Sequence, residues 1–294
     1  MTISQNPSAP LVAVVGATGA QGGSVPAAQD LIKRGVEVVV VSLVIENKEE
    51  VYKAFTGADI AFLVTNFWEH GEMEREINEG KLLIDAAKSG GVSRIIWSGL
   101  PSFSKLSGGR LVHAHHFESK AAVTEYARQS GVPFVELQAG FYGTNFVTLP
   151  MLLAKQADGQ FAMPWPVKPT TKLPFIDIDR DYGLWARHLL ELPVFPDGSS
   201  FISHGEYISI QDMAQQLAQV TGKDVVFKQI SMEQFKQNVQ TAGFPPNAQE
   251  SFADVWEALD EIGWSDTATT ENLPRRPSTW VEFAERTDWS KALV

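Results

Sequence analysis

The chain of 294 residues contains no cysteine. Disulfides, cysteine-ligated zinc, iron–sulfur clusters and thiol nucleophiles are therefore excluded together. Positive charge is scarce: 24 Lys and Arg stand against 35 Asp and Glu, a formal net charge of −11. Binding to a phosphate backbone needs Lys and Arg gathered on one face, so the balance argues against a direct nucleic-acid partner. No apolar run approaches the roughly 20 residues that cross a bilayer, and no membrane role is expected. Met1 to Pro10 lacks a basic stretch followed by an apolar run and does not read as a signal peptide. A soluble cytoplasmic protein is the expectation. His113, His115 and His116 lie close together, but no regular ligand spacing with a nearby carboxylate accompanies them, so no metal is expected.

What is present is a globular composition, 44% hydrophobic and 20% charged, long enough for one large domain or two modest ones. Leu11–Val15 is a short apolar run ending at Gly16, and Gly22 to Arg34 reads as a helix with Pro26 in its first turn and Gly35 as its stop. Val36–Ile45 is rich in β-branched residues and reads as a strand buried on both faces. Asn47 is placed to cap a short helix through Phe55. Asp59–Thr65, Arg94–Ser98 and Pro133–Leu137 read as further strands. Met73–Lys88 and His113–Ser130 read as helices between them. Alternating strands and helices imply a Rossmann-type parallel α/β sheet over residues 10–150. Residues 151–294 change texture, with Pro164, Pro166, Pro169 and Pro174 in one stretch. Helical patterns follow at Asp179–Glu191, Ser209–Thr221, Ser231–Gln240, Gln249–Ile262 and Ser278–Arg286. They suggest a smaller, mostly helical domain partly interleaved with the first.

Gly16-Ala-Thr-Gly19-Ala-Gln-Gly22 is a GxxGxxG pattern between a strand and a helix. Glycine permits a tight turn and close backbone approach to a pyrophosphate, and the helix N-terminus supplies unpaired N–H groups. A bare glycine pattern says little, but the strand before and the helix after are the context a dinucleotide site demands. More specific are Val64-Thr65-Asn66-Phe67-Trp68-Glu69, Gly90-Gly91-Val92-Ser93-Arg94, Ser98-Gly99-Leu100, His116-Phe117-Glu118-Ser119-Lys120, Pro174-Phe175-Ile176-Asp177-Ile178-Asp179 and Ser278-Thr279-Trp280. With these segments the chain resembles the NmrA-like family of atypical short-chain dehydrogenase/reductases, from Leu11 to about Phe283. The resemblance implies an NADP- or NAD-binding Rossmann domain and a small C-terminal domain. It assigns cofactor contacts to Gly16, Thr18, Gly19, Ala20, Gln21, Gly22, Thr65, Asn66, Phe67, Lys120, Gly140 and Tyr142.

The sequence departs from that family directly after the glycine loop. Pro26 to Val39 looks like the family's later helix and third strand, yet it follows Ser24-Val25 immediately. One helix–strand unit of about twenty residues is missing on the Rossmann spacing. In one reading Val36–Ile45 takes the place of strand two and the sheet is one strand smaller, with Glu46 within reach of a ribose. In the other it stays as strand three and the strand-two slot is vacant, with Ser42 near the adenine. Chain reach favours the first reading, because a helix of about thirteen residues is only about 20 Å long. Either way no Arg ends the segment to meet a 2′-phosphate, and NADP binding is expected to be weakened; Lys48, or Lys33 and Arg34, are the available substitutes.

His116 and Lys120 are four apart on one helix and share a face. By the resemblance, His116 stands where short-chain dehydrogenases carry a Tyr, and Lys120 holds the nicotinamide ribose. Imidazole titrates near neutrality and can donate or accept a proton there; a vestigial pair is the alternative. Ser98, at the end of its strand, is a third catalytic candidate, and Tyr142 a replacement acid. Glu118 reads as a solvated charge between them. Trp165, Phe175 and Trp185 either shape an apolar substrate pocket or fill the core. Three functional classes follow. One is an NAD(P)-dependent oxidoreductase acting on a small metabolite, or a non-redox isomerase or rearrangement enzyme at the same residues. Another is a redox-sensing regulator that binds NAD(P) without turnover and controls a protein partner. A degenerate paralogue with neither activity is the third. A homodimer covering Val36–Ile45 is expected if that run is left as an edge.

Overall fold

The computed structural model describes residues 10–16, 26–264 and 273–294. In chain order the elements begin with β1 (Val12–Val14), α1 (Pro26–Lys33), α2 (Lys48–Ala54), β2 (Ile60–Leu63), α3 (Met73–Ser89) and β3 (Arg94–Trp97). Next come α4 (Phe103–Leu106), α5 (His115–Gln129), β4 (Phe134–Ala139), β5 (Phe141–Tyr142), α6 (Asn145–Thr148), β6 (Ala154–Lys155), β7 (Phe161–Trp165) and β8 (Lys172–Ile176). The chain closes with α7 (Ile178–Glu191), β9 (Ser200–Ser203), β10 (Glu206–Ser209), α8 (Ile210–Thr221), β11 (Val225–Gln229), α9 (Met232–Thr241), α10 (Pro246–Glu261) and α11 (Trp280–Arg286). Two compact units share these elements. Residues up to Leu100 with Ser119–Leu137 and Val194–Ser200 form the first; Pro101–Glu118, Gln138–Pro193 and Phe201–Val294 form the second. No helix among the described residues is long and apolar enough to cross a membrane.

The main sheet runs in the order β1-β2-β3-β4-β9. Its first four strands are parallel, with Val12 opposite Ile60, Ile60 opposite Arg94 and Ile95 opposite Phe134. Parallel strands are covered on both faces, which is why β2 reads as a continuous apolar run and every residue of β4 is buried. The core of the first unit gathers Leu63, Leu83, Ile84, Ile95, Trp97, Val123 and Phe134, all essentially inaccessible to water. One contact sets the helix layer. A Cβ on Gly80 of α3 would lie 2.4 Å from Val123 Cγ2 of α5, so only glycine admits this approach. One turn earlier on both helices, Glu76 meets Ser119 and Lys120.

Val36–Ile45 is not the buried strand that its composition predicts. Residues 37–43 form no strand, and Val39 and Val40 are 47% and 66% exposed. Neither reading of the missing unit is realised as a ladder. Among the described strands β1 pairs with β2 and ends the sheet order. The segment instead packs Val41 and Leu43 against the core by side chain alone. Asn47 does precede a helix, but its side chain donates to Ser42 O at 3.0 Å rather than capping.

The second unit carries the five predicted helices as α7 to α11 and, besides them, two three-stranded sheets, β10-β8-β5 and β11-β7-β6. The proline-rich stretch conceals β7 and β8. Pro164 is tolerated in β7 because β6 pairs only with Phe161 and Ala162, which leaves the ladder beside Pro164 one-sided. Trp165 and Phe175 belong to the aromatic core, where Trp165 stacks on Phe146 at 5.5 Å and lies 4.2 Å from Trp256 between centroids. Trp185 is equally buried, so the core reading of all three holds. The C-terminal segment is anchored by two acids of α7 and its N-terminal flank. Asp181, fully buried, accepts from Arg275 Nη1 at 2.6 Å and Ser278 N at 2.7 Å, and Asp177 accepts from Arg286 Nη2 at 2.7 Å.

Candidate functional site

Parallel sheets present their ligand-binding residues at the carboxyl ends of the strands. At that edge of the first unit, Gly16 follows β1 with φ +70°, and a Cβ there would press on Val64 Cγ1 at 3.2 Å. The tight turn that the glycine pattern predicts therefore begins where expected. Thr18, Gly19, Ala20, Gln21 and Gly22 lie outside the described residues.

After β2 the chain delivers Thr65, and from α5 comes Lys120. The ammonium donates to Thr65 O at 2.8 Å, Thr65 Oγ1 at 3.0 Å and Glu76 Oε1 at 2.9 Å, and lies 5.6 Å from the centre of the Trp97 ring. Thr65 Oγ1 in turn donates to Glu76 Oε1 at 2.7 Å, and Ser119 Oγ donates to Glu76 Oε2. Lys120 and Glu76 form an ion pair whose side chains are 12% and 2% exposed. Two predicted site residues, Thr65 and Lys120, are thus brought into contact, and a third group that the sequence reading did not single out holds them together. The signal for Glu76 was present. It heads the stripe Glu76, Gly80, Leu83, Ala87 on the buried face of α3, and a lone acid on an apolar stripe needs a partner. Its place in the first turn of α3 also suits the positive end of the helix dipole.

A second buried acid supports the same edge. Glu136 of β4 accepts from Thr124 Oγ1 at 2.7 Å and Ser200 Oγ at 2.5 Å, and a Cβ on Gly99 would collide with its carboxylate at 2.2 Å. Trp97 Nε1 donates to Lys120 O at 3.3 Å, which fixes the α5 backbone beside the end of β3. Ser98 is buried there, with its N–H on Leu63 O at 2.8 Å. Asn66 is exposed, whereas Phe67 is buried with Trp68 edge-on to it at 5.1 Å; Trp68 itself is 49% exposed. Glu46, a candidate for a ribose, accepts from Arg75 Nη2 at 3.2 Å, and Arg75 also donates from Nε to Glu79 at 3.0 Å. Burial of the Glu79 carboxyl raises its pKa despite the Arg75 hydrogen bond.

In the second unit His116 Nδ1 lies 2.9 Å from Ser251 Oγ of α10, and the imidazole meets Phe117 and Phe252 edge-on. A hydroxyl on one ring nitrogen fixes the ring plane and couples the tautomer to the serine proton. Glu118 is no solvated charge: it accepts from Ser102 Oγ and Ser104 N, both at 2.8 Å, and ties the start of α5 to α4. Gly140 is required by packing, since a Cβ would lie 2.3 Å from Pro174 O, and its N–H donates to Ser203 O at 3.0 Å. Tyr142, next in β5 after Phe141, is 37% exposed.

Comparison with known proteins agrees with this architecture. The NmrA-like family profile matches residues 24–284. The nitrogen metabolite repression protein nmr of Neurospora crassa is 30% identical over 175 residues, 56% of this chain and 32% of that protein. The NAD(P)H azoreductase of Xenophilus azovorans is 25% identical over 88% of this chain and 85% of its own length. Among solved structures, NmrA, a negative transcriptional regulator crystallised with NAD, superposes with a TM-score of 0.77 at 22% identity over 94% of both chains. A triphenylmethane reductase from Citrobacter superposes with a TM-score of 0.72 at 21% identity, over 94% of this chain and all of that one. With its Rossmann-like sheet, its glycine turn and a profile match across most of its length, the chain belongs to the NmrA-like family.

Proposed function

We propose that this chain binds a nicotinamide dinucleotide at the carboxyl edge of its first unit and acts as an NAD(P)-linked oxidoreductase on a small metabolite. The observation that carries the reading is the Thr65–Glu76–Lys120 cluster, set at the same sheet edge as the left-handed Gly16 turn. The described residues fit the nicotinamide half of such a cofactor. Lys120 offers a fixed positive charge, Thr65 and Ser98 offer hydroxyls, and Gly16 leaves the space that a side chain would fill. The adenosine half is less well provided, since among the described residues no strand stands where the family's 2′-phosphate-binding arginine would end.

When bound, the dinucleotide supplies or accepts the hydride. The work of the chain is positional. Glu76 and Thr65 hold the Lys120 ammonium in one place, so it adds no reorganisation cost when charge develops beside it. His116, one turn before Lys120 on α5 and steadied by Ser251, is the candidate to give or take the proton. Turnover of NADH and NADPH against quinone, azo and carbonyl acceptors tests the reading. Activity that falls at least a hundredfold in His116→Phe supports it. Wild-type protein that binds dinucleotide and reduces no acceptor refutes the enzymatic part.

A second reading has an observation of its own. The three hydrogen-bond directions of the Lys120 ammonium are already met by Thr65 and Glu76. A lysine so engaged suits a dinucleotide-binding regulator that holds its ligand without turning it over; the similar NmrA, a negative transcriptional regulator, was crystallised with NAD. Dinucleotide binding with no turnover, together with dinucleotide-dependent capture of a protein partner, would select this reading.

A further inference from the structure

The second unit contains an open cavity of 720 Å³ lined by none of the candidate site residues described above. Its floor is one face of the β11-β7-β6 sheet. Pro164 pairs with Lys228, Ala162 pairs with Val226, and Ala154 pairs with Ala162. Residues two apart on a strand share a face, so Ala154, Pro164 and Lys228 all rise from that floor. Pro150, Met151 and Ile230 extend it as an apolar surface.

The wall is helix α9. Its apolar side, Phe235 and Val239, is fully buried, and Phe235 lies 6.1 Å from Trp256 of α10 between ring centroids. The cavity instead receives Gln234, Asn238 and Thr241, spaced by four and three and hence one stripe of the helix. A helix that flanks a sheet ordinarily turns apolar residues toward it. Here the flank is a row of amides and a hydroxyl, with the Gln234 amide donating to Asn238 Oδ1 at 3.2 Å. The space is consequently left open rather than filled by packing. Lys228 is the one charged residue among the described lining, and no carboxylate lines the cavity. Among the described residues its ammonium reaches the Gln156 amide oxygen at 3.5 Å, the outer limit of a hydrogen bond.

We infer that this cavity is a binding site for a small amphipathic carboxylate. The anionic head would sit on Lys228 with the amides of Gln156 and α9 as additional donors, and the aryl or alkyl tail would lie on the Pro150, Met151, Pro164 and Ile230 surface. The volume is that of ordinary small-molecule sites, roughly 300–1,000 Å³. Charge-assisted pairing is what separates a carboxylate from its neutral isostere at such a site. The chain carries net charge −11, so a lone cation on an acid-free wall selects anions against the field of the whole molecule. This site is independent of the dinucleotide reading.

The test is nitrogen-15 NMR titration of the full chain with hexanoate, 3-phenylpropionate and indole-3-acetate, each beside its primary amide. The result expected is saturable shifts of backbone amides in β11 and α9 for at least one acid. Its amide should bind at least tenfold more weakly, and the acid should weaken about tenfold in Lys228→Met. Lys228 is exposed, so that variant keeps the fold, and its unchanged spectrum elsewhere verifies this. The proposal is overturned if none of the acids saturates by about ten millimolar, if the shifts fall away from the cavity lining of β6, β7, β11 and α9, or if acid and amide bind alike. Equal binding of the acid to Lys228→Met overturns it as well.

Discussion

Removal of the Lys120 ammonium is the sharpest test of the first unit's edge. In Lys120→Met the carboxylate of Glu76, 2% exposed, loses the ammonium it pairs with but keeps the hydroxyl hydrogen bonds from Thr65 and Ser119. Breaking a buried ion pair from one side ordinarily costs about 3–5 kcal/mol. With two hydroxyl donors still in place, the cost should fall at the lower end, about 3 kcal/mol. For a chain of this size, about 2 °C per kcal/mol translates this into a midpoint about 6 °C lower. The partner variant Glu76→Gln leaves the ammonium with Thr65 O and Thr65 Oγ1 and should cost somewhat less. Groups in one hydrogen-bonded network are non-additive. The double variant should therefore show a coupling of about 2 kcal/mol in denaturant titrations of all four proteins. A coupling within about 0.5 kcal/mol of zero would refute the claim that Glu76 is what holds Lys120.

Gly16→Ala places a Cβ 3.2 Å from Val64 Cγ1 at φ +70° and should cost about 1–2 kcal/mol in denaturant unfolding while abolishing dinucleotide binding; unchanged binding would contradict the role given to that turn. Asp181→Asn removes the charge that holds Arg275 and Ser278 N and should destabilise by about 2 kcal/mol, read as an earlier unfolding transition, where a loss under about 0.5 would show that the C-terminal anchor is dispensable. Burial pushes His204 below the ordinary imidazole range, and neither ring nitrogen has a hydrogen-bond partner. The unfolded imidazole takes its proton near pH 6.5 and the folded one only at lower pH, so stability is lost as pH falls below about 6.5. His204→Phe should remove that part of the loss and flatten the dependence of Tm on pH between about 6.5 and 5; an unchanged slope would show that His204 does not titrate with unfolding.

Strand-by-strand, the sequence is most legible where local pattern and tertiary context agree. Ile60–Leu63, Arg94–Trp97 and Phe134–Ala139 are short, predominantly apolar segments between helices, and they pair as a parallel sheet must. Val36–Ile45 is also largely apolar and forms no strand between residues 37 and 43, because a strand is made by its neighbour and no strand among the described residues pairs with that stretch. Short strands β7 and β8 were hidden by their prolines, whose cost depends on whether a ladder partner lies alongside, and periodicity does not report that. At the site, Thr65 and Lys120 could be named from their resemblance to the family pattern. Glu76 could not, since it is read only by counting fourfold along α3 and asking why an acid faces inward. Glu118 misled for the opposite reason: its partners Ser102 and Ser104 lie in a loop and short helix that sequence spacing does not bring to it.

The most direct test of the central claim is calorimetric titration of the unmodified protein with NAD, NADP, NADH and NADPH. The account predicts saturable one-to-one binding of at least one of the four, with NADP no tighter than NAD because no arginine ends a second strand. At a hundred times the dissociation constant, such a ligand should stabilise the protein by about 2.7 kcal/mol and raise Tm by about 5 °C. Absence of binding by all four at millimolar concentration would contradict the account.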